Sequence, residues 1–122
     1  MILADSSVWI DHLRSPVADL VNALQAGELL LHPFVIGELA CGSLADRRDI
    51  LRFLAKMPSA PIARHEEALA FIEDHALMGK GIGFIDLHLL ASTSLAETAL
   101  IWTRDKRLAK VAAELDLAYE AT

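Results

Sequence analysis

One cysteine, one tyrosine, two tryptophans, four prolines and six glycines in 122 residues leave several architectures without material. A single thiol, Cys41, makes no internal disulfide and no all-cysteine zinc site, which fits a reducing compartment. Long apolar runs are missing too. The candidate stretches are broken by Asp, Glu, His, Lys or Arg well short of the roughly 20 residues a spanning helix needs, so no membrane crossing is expected. Met1-Ile2-Leu3-Ala4-Asp5 lacks the basic segment and following apolar core of a secretory signal, and the chain is expected to stay in the cytoplasm. Positive charge is scarce: 11 Lys and Arg stand against 17 Asp and Glu, a net −6 that cannot hold a polyanion by bulk attraction.

Apolar material is abundant, at 54% of residues with mean hydropathy +0.38, enough to exclude disorder as the native state. The length suits one domain, residues 1–122, with one core. Residues 1–4 read as a buried strand ending at Asp5, with Ser6 and Ser7 available to cap the next helix. A helix opened by Ser15-Pro16 follows, with Val17, Leu20, Val21 and Leu24 on one side. Leu29-Leu30-Leu31 reads as a second strand, and Pro33 opens a helix carrying Glu38. Asp46 is placed to cap a helix through Ile50 and Leu54. Residues 65–78 predict another, ended by Gly79. Phe84 to Leu95 predicts a helix with Asp86 in its first turn, Thr98 to Trp102 a strand, and Thr103-Arg104-Asp105 the turn into a final helix through Leu115. Leu117 to Tyr119 predicts an edge strand. Short apolar strands alternating with helices specify an α/β domain with a mainly parallel sheet between helical layers.

In such sheets ligands bind beyond the carboxyl ends of the strands, where Asp5 and Asp105 emerge. Asp5, Glu38, Asp86 and Asp105 differ from the other acids in each lying beside an apolar segment near a strand end or helix start. If they converge, their repulsion must be relieved by protonation or by a divalent cation, and oxygen donors suit Mg²⁺ or Mn²⁺ rather than Zn²⁺. A cation so held activates water and neutralises a scissile phosphate, which is the chemistry of phosphodiester hydrolysis. Ser7 and Thr103, each two residues from an acid, are placed to fix a carboxylate or a metal-bound water. Arg104, Lys106, Arg107 and Lys110 form a local basic patch beside Asp105 that can steer RNA phosphates.

Plainer roles exist for each residue: Asp5 and Asp105 as helix caps, Asp86 as a favourable first-turn charge, Glu38 as a solvated acid. Other signals point to structure alone. Cys41 is expected to be a buried small residue, Trp9 and Trp102 core, and Arg48, Arg52 and Lys56 a solvated face. Gly79-Lys80-Gly81-Ile82-Gly83 lacks the ending and context of a phosphate-binding loop and reads as a connector. The histidines lack metal-ligand spacing.

Asp5-Ser6-Ser7-Val8-Trp9-Ile10, Gly37-Glu38-Leu39, Asp86-Leu87-His88-Leu89-Leu90-Ala91 and Thr103-Arg104-Asp105 occur in the order seen in PIN domains, and together they resemble toxin ribonucleases of the VapC type. The resemblance runs from residue 3 to about residue 108. It implies a three-layer PIN-like fold and a Mg²⁺- or Mn²⁺-dependent endoribonuclease toxin. It further implies a homodimer, neutralised by a cognate VapB-type antitoxin that covers apolar helix surface. Asp5, Glu38, Asp86 and Asp105 match the family's acidic positions, and Ser7 and Thr103 its associated hydroxyls. Lys106 and Arg107 stand where some members have a further acid or an aromatic, so no fifth acidic ligand is carried over. Two other classes fit less well. A receiver-like signalling domain wants an acidic pair after the first strand, where Ser6 and Ser7 stand, and a catalytically inactive interaction module has no use for four clustered acids. Neutralising Asp5 or Asp86 is expected to stop RNA cleavage and leave the fold intact or more stable.

Overall fold

A computed structural model describes residues 1–121. Every residue of the first strand, β1 (Ile2–Ala4), is buried, because β1 is hydrogen-bonded to a neighbour on each side. After it come α1 (Ser6–Arg14), α2 (Ala18–Gln25), β2 (Leu29–Leu30), α3 (Pro33–Ala40), α4 (Arg47–Ala55), α5 (His65–His75), α6 (Phe84–Leu95), β3 (Leu100–Trp102) and α7 (Lys106–Glu114). The sheet order is β2-β1-β3, and both pairings are parallel, Leu3 lying opposite Leu30 on one side and Ile101 on the other. Parallel neighbours need helical crossovers, and α1–α2 and α3–α6 supply them.

The edges extend as isolated parallel bridges, Leu31 to Ser59 and Ile101 to Ala118. The expected last strand over 117–119 is therefore one bridge, held by Ile101 N–H to Leu117 O at 2.7 Å and Tyr119 N–H to Ile101 O at 2.8 Å. The core gathers Leu3, Val8, Leu20, Val35, Leu39, Leu54, Leu89, Leu90, Ile101 and Leu108, and Trp9 and Trp102 belong to it. No helix among the described residues is long and apolar enough to cross a membrane.

Several boundaries differ from expectation for local reasons. Asp5, rather than Ser6 or Ser7, caps α1, its carboxylate accepting from the Ser7 and Val8 amides. Asp46 precedes α4 in the left-handed region (φ 52°) and makes no side-chain cap bond. Ala76, not Gly79, ends α5 by adopting that same conformation. Cys41 is exposed, because it follows the last turn of α3 at the surface.

Candidate active site

The carboxyl ends of β1 and β3 lie side by side, with Asp5 N–H donating to Trp102 O at 2.9 Å. Asp5 leaves the central strand and Asp105 follows β3 by one turn, so each caps the helix that starts there. Capping and site-building are the same placement: the strand end that aims a carboxylate outward also starts a helix that needs an acceptor.

Asp5 is buried and both of its carboxylate oxygens accept hydrogen bonds, Oδ2 only one. Oδ1 accepts from the Ser7 amide at 3.0 Å, the Ser7 hydroxyl and the Val8 amide at 3.3 Å, and Oδ2 accepts from the Thr103 hydroxyl. The same hydroxyls accept in turn. Arg104 N–H donates to Ser7 Oγ at 2.9 Å and Asp105 N–H to Thr103 Oγ1 at 3.0 Å. Ser7 and Thr103 thus fix a carboxylate and, through it, lock the turn after β3 onto the end of β1.

The other acids are held more loosely. Asp105 is exposed, and its cap bonds from Arg107 N–H (2.9 Å) and Leu108 N–H (3.0 Å) both end on Oδ1. Glu38, exposed on α3, accepts one hydrogen bond, from the Ser6 hydroxyl at 3.3 Å. Ser6, expected only as a helix cap, instead reaches Glu38, and its place between Asp5 and Ser7 at a strand end is the sequence signal for that contact.

Asp86, half-buried in the first turn of α6, carries the electrostatic record of the cluster. Its pKa is pushed from 3.8 to about 6, by burial first and then by the charges of Asp5, Asp105 and Glu38, against a smaller opposing effect from the Gly83 backbone. Residues far apart in the chain therefore share one anionic crevice. As they stand, no three His, Cys, Asp or Glu side chains among the described residues are grouped closely enough to hold a metal ion. The donors are all carboxylate oxygens, and the mutual repulsion that, after burial, raises the proton affinity of Asp86 also favours a hard cation.

The histidines play no part in this cluster. His32 is fully buried at the start of α3, accepting from Phe34 N–H at Nδ1 (3.0 Å), which leaves Nε2 to donate to Ser92 Oγ at 3.2 Å. Burial, reinforced by the neighbouring His88, lowers its pKa from 6.5 to about 4. His88 is buried as well, beside Phe34 and Phe84.

The basic patch is also more differentiated than its spacing suggested. Arg104 is committed elsewhere, its Nε 3.2 Å from Asp11 Oδ2 and its guanidinium 5.8 Å above the Trp102 ring. Arg48, Arg52 and Lys56 are all exposed, as a solvated face requires.

Comparison with known proteins agrees with this geometry. The PIN domain family model matches residues 2–114. Two curated relatives, each named Ribonuclease VapC32, come from Mycobacterium tuberculosis strains CDC 1551 / Oshkosh and ATCC 25618 / H37Rv. Both are 45% identical over 118 residues, spanning 97% of this chain and 95% of the relative. With the acids gathered where the strands end and a match over almost the full length, the chain belongs to the PIN-domain family and, within it, to the VapC proteins.

Proposed function

We propose that this protein is an endoribonuclease toxin, a single nuclease domain that hydrolyses RNA phosphodiester bonds with a divalent cation, Mg²⁺ or Mn²⁺. The observation that carries the reading is the hydrogen-bonded junction at the strand ends, where Thr103 joins Asp5 to the Asp105 turn and Ser6, next to Asp5, reaches Glu38; the pKa of Asp86, raised by burial and then by the charges of Asp5, Asp105 and Glu38, accords with it. The relatives' name, ribonuclease, supports the reaction class.

Asp5, Glu38, Asp86 and Asp105 are the residues that would hold the cation. Bound among them, it supplies charge neutralisation for the phosphate and a lowered pKa for a water. The chain's own contribution is position. Asp5 is prevented from rotating by donors on both oxygens, so its direction is set before any substrate arrives. Ser7 and Thr103 are positioning residues, acting through Asp5. Glu38 and Asp105 each retain an oxygen free of protein donors, and Asp86 comes from a separate helix, α6. The crevice repels the RNA it is to cut until its charge is compensated, so activity is expected to require the metal outright. Assay of RNA cleavage with Mg²⁺ or Mn²⁺, and with EDTA, tests this: cleavage only with metal is expected, and cleavage unchanged in EDTA overturns the mechanism.

A cytoplasmic homodimer held inactive by a cognate VapB-type antitoxin completes the reading. Both associations need apolar surface, and two grooves meet the crevice at Glu38. One is lined by Ile10, Leu13, Leu39 and Ile50, the other by Phe34, Phe84 and Ile85. Expression of this chain alone is expected to arrest growth, and co-expression of a neighbouring small open reading frame to restore it. Harmless expression of folded, active protein overturns the toxin role.

A further inference from the structure

The Gly79-Lys80-Gly81-Ile82-Gly83 segment does more than connect. It leads directly into α6 and hence to Asp86, and it packs along α7, Gly81 meeting Arg107 near the start of that helix and Lys80 pairing with Glu114 at its end at 3.8 Å. Gly81 adopts φ +79°, and a methyl group there would stand 3.1 Å from Cδ, 3.3 Å from Nη1 and 3.6 Å from Nε of Arg107. The Arg107 side chain lies along the bare glycine backbone as on a shelf. Its main chain is pinned as well, since Arg107 N–H donates to Asp105 Oδ1. Its guanidinium, by contrast, has no carboxylate partner and no hydrogen bond among the described residues, whereas Arg104 and Lys80 are paired.

We propose that Arg107, supported by Gly81, is the contact for an RNA phosphate adjacent to the one that is cut. The assignment rests on the nuclease reading above. A guanidinium anchored to the two segments that carry Asp86 and Asp105, yet neutralised by neither, offers a planar fork to an anion outside the carboxylate cluster. A cation inside the cluster would compete with metal, and one placed beyond it holds the strand without doing so. Arg107 is thus a substrate-positioning residue, and Gly81 sets where it reaches.

The test is binding of a short fluorescein-labelled single-stranded RNA to the full chain carrying Asp86→Asn, followed by anisotropy across a salt series in Mg²⁺. Adding Arg107→Gln is expected to weaken binding by about fivefold to tenfold at low salt and to reduce the salt slope by about 0.7, the value for one phosphate contact on a single strand. Arg107→Lys restores the slope but only part of the affinity, because the fork is lost. Gly81→Ala weakens binding in the same direction with the charge count unchanged. In otherwise unaltered enzyme, Arg107→Gln raises KM with kcat within about twofold. An unchanged slope and KM in Arg107→Gln overturns the assignment, as does a fall in kcat with KM and slope unmoved. If the unaltered protein neither binds nor cuts RNA, the nuclease reading has failed; if it does both and Arg107→Gln equals it, only the role of Arg107 has.

Discussion

The two halves of the acidic crevice are built on opposite terms. On the side of β1 and β3, Asp5 is buried, takes four donors and ties two strand ends together. On the side of α3 and α6, Glu38 has one long hydrogen bond and Asp86 resists ionisation. The first half is part of the fold, and its carboxylate is stabilising where it stands. In the second half Asp86, half-buried beside other carboxylates, costs stability when ionised until something positive arrives. Neutralising Asp5 and neutralising Asp86 should therefore act oppositely on stability, a sharper expectation than an intact or stronger fold for both.

Substitution tests the contrast most directly. Asp5→Asn and Asp86→Asn are each expected to lower metal-dependent RNA cleavage by at least about a hundredfold, and their denaturation midpoints should move apart. Asp5→Asn replaces one acceptor by a donor that faces either a hydroxyl or the cap amides, at a cost of about 1–3 kcal/mol. Asp86→Asn relieves repulsion and, discounted for its half-exposed position, gains about 1–2 kcal/mol at pH 7 in EDTA. Movement of both midpoints in the same direction would abolish the distinction between the halves.

Thr103→Val separates positioning from charge. It leaves every acid in place but removes the donor to Asp5 and the acceptor for Asp105 N–H. Cleavage is expected to fall about tenfold or more, with a stability loss of about 1–2 kcal/mol. Thr103→Ser should recover most of both, read by the same assays.

Titration sharpens the comparison further. Asp86 has a folded pKa raised from 3.8 to about 6, so its stabilising contribution is complete below 3.8 and is lost as pH rises to 6. The advantage of Asp86→Asn over the parent, measured by urea unfolding in EDTA, should accordingly grow from pH 4 to pH 6 and then level. His32 shows the reverse sign. Its folded pKa is lowered from 6.5 to about 4, so stability from the neutral ring is present above 6.5 and lost as pH falls towards 4. His32→Gln should flatten that acid limb while leaving the Asp86 limb. The smallest change in stability is expected for Glu38→Gln, which lowers RNA cleavage with no measurable change in unfolding midpoint, given the exposure of that side chain.

How much of this was legible beforehand depended on whether the signal was local. The helix over Phe84–Leu95 and its acid in the first turn follow from a long apolar pattern bounded by a glycine, and the structure has them where the pattern puts them. Pro33 opened α3 as its fixed φ requires. The strand at Leu29 was readable as a run of buried leucines. The ends of α1, α4 and α5 were not, because several residues compete to cap or stop a helix and tertiary bonds select among them. The four acids could be singled out by position, but their convergence could not be read from spacing, since Asp5 and Thr103 meet across 98 residues. That Asp5 and Asp105 are caps and crevice residues at once shows that the plain and the functional readings were never alternatives. The status of the neighbouring cations was out of reach: only coordinates separate Arg104, spent on Asp11, from Arg107, resting on Gly81.

The strand order has a consequence for synthesis. β1 is made first but lies in the middle of the sheet, and its partner β3 lies at Leu100–Trp102. A nascent chain cannot complete the sheet, seat Thr103 or supply Asp105 until β3 and the turn after it have left the ribosome, since distant pairing must await its second strand. The carboxylate cluster is thus assembled late, and a chain whose β3 has yet to emerge holds its acids apart.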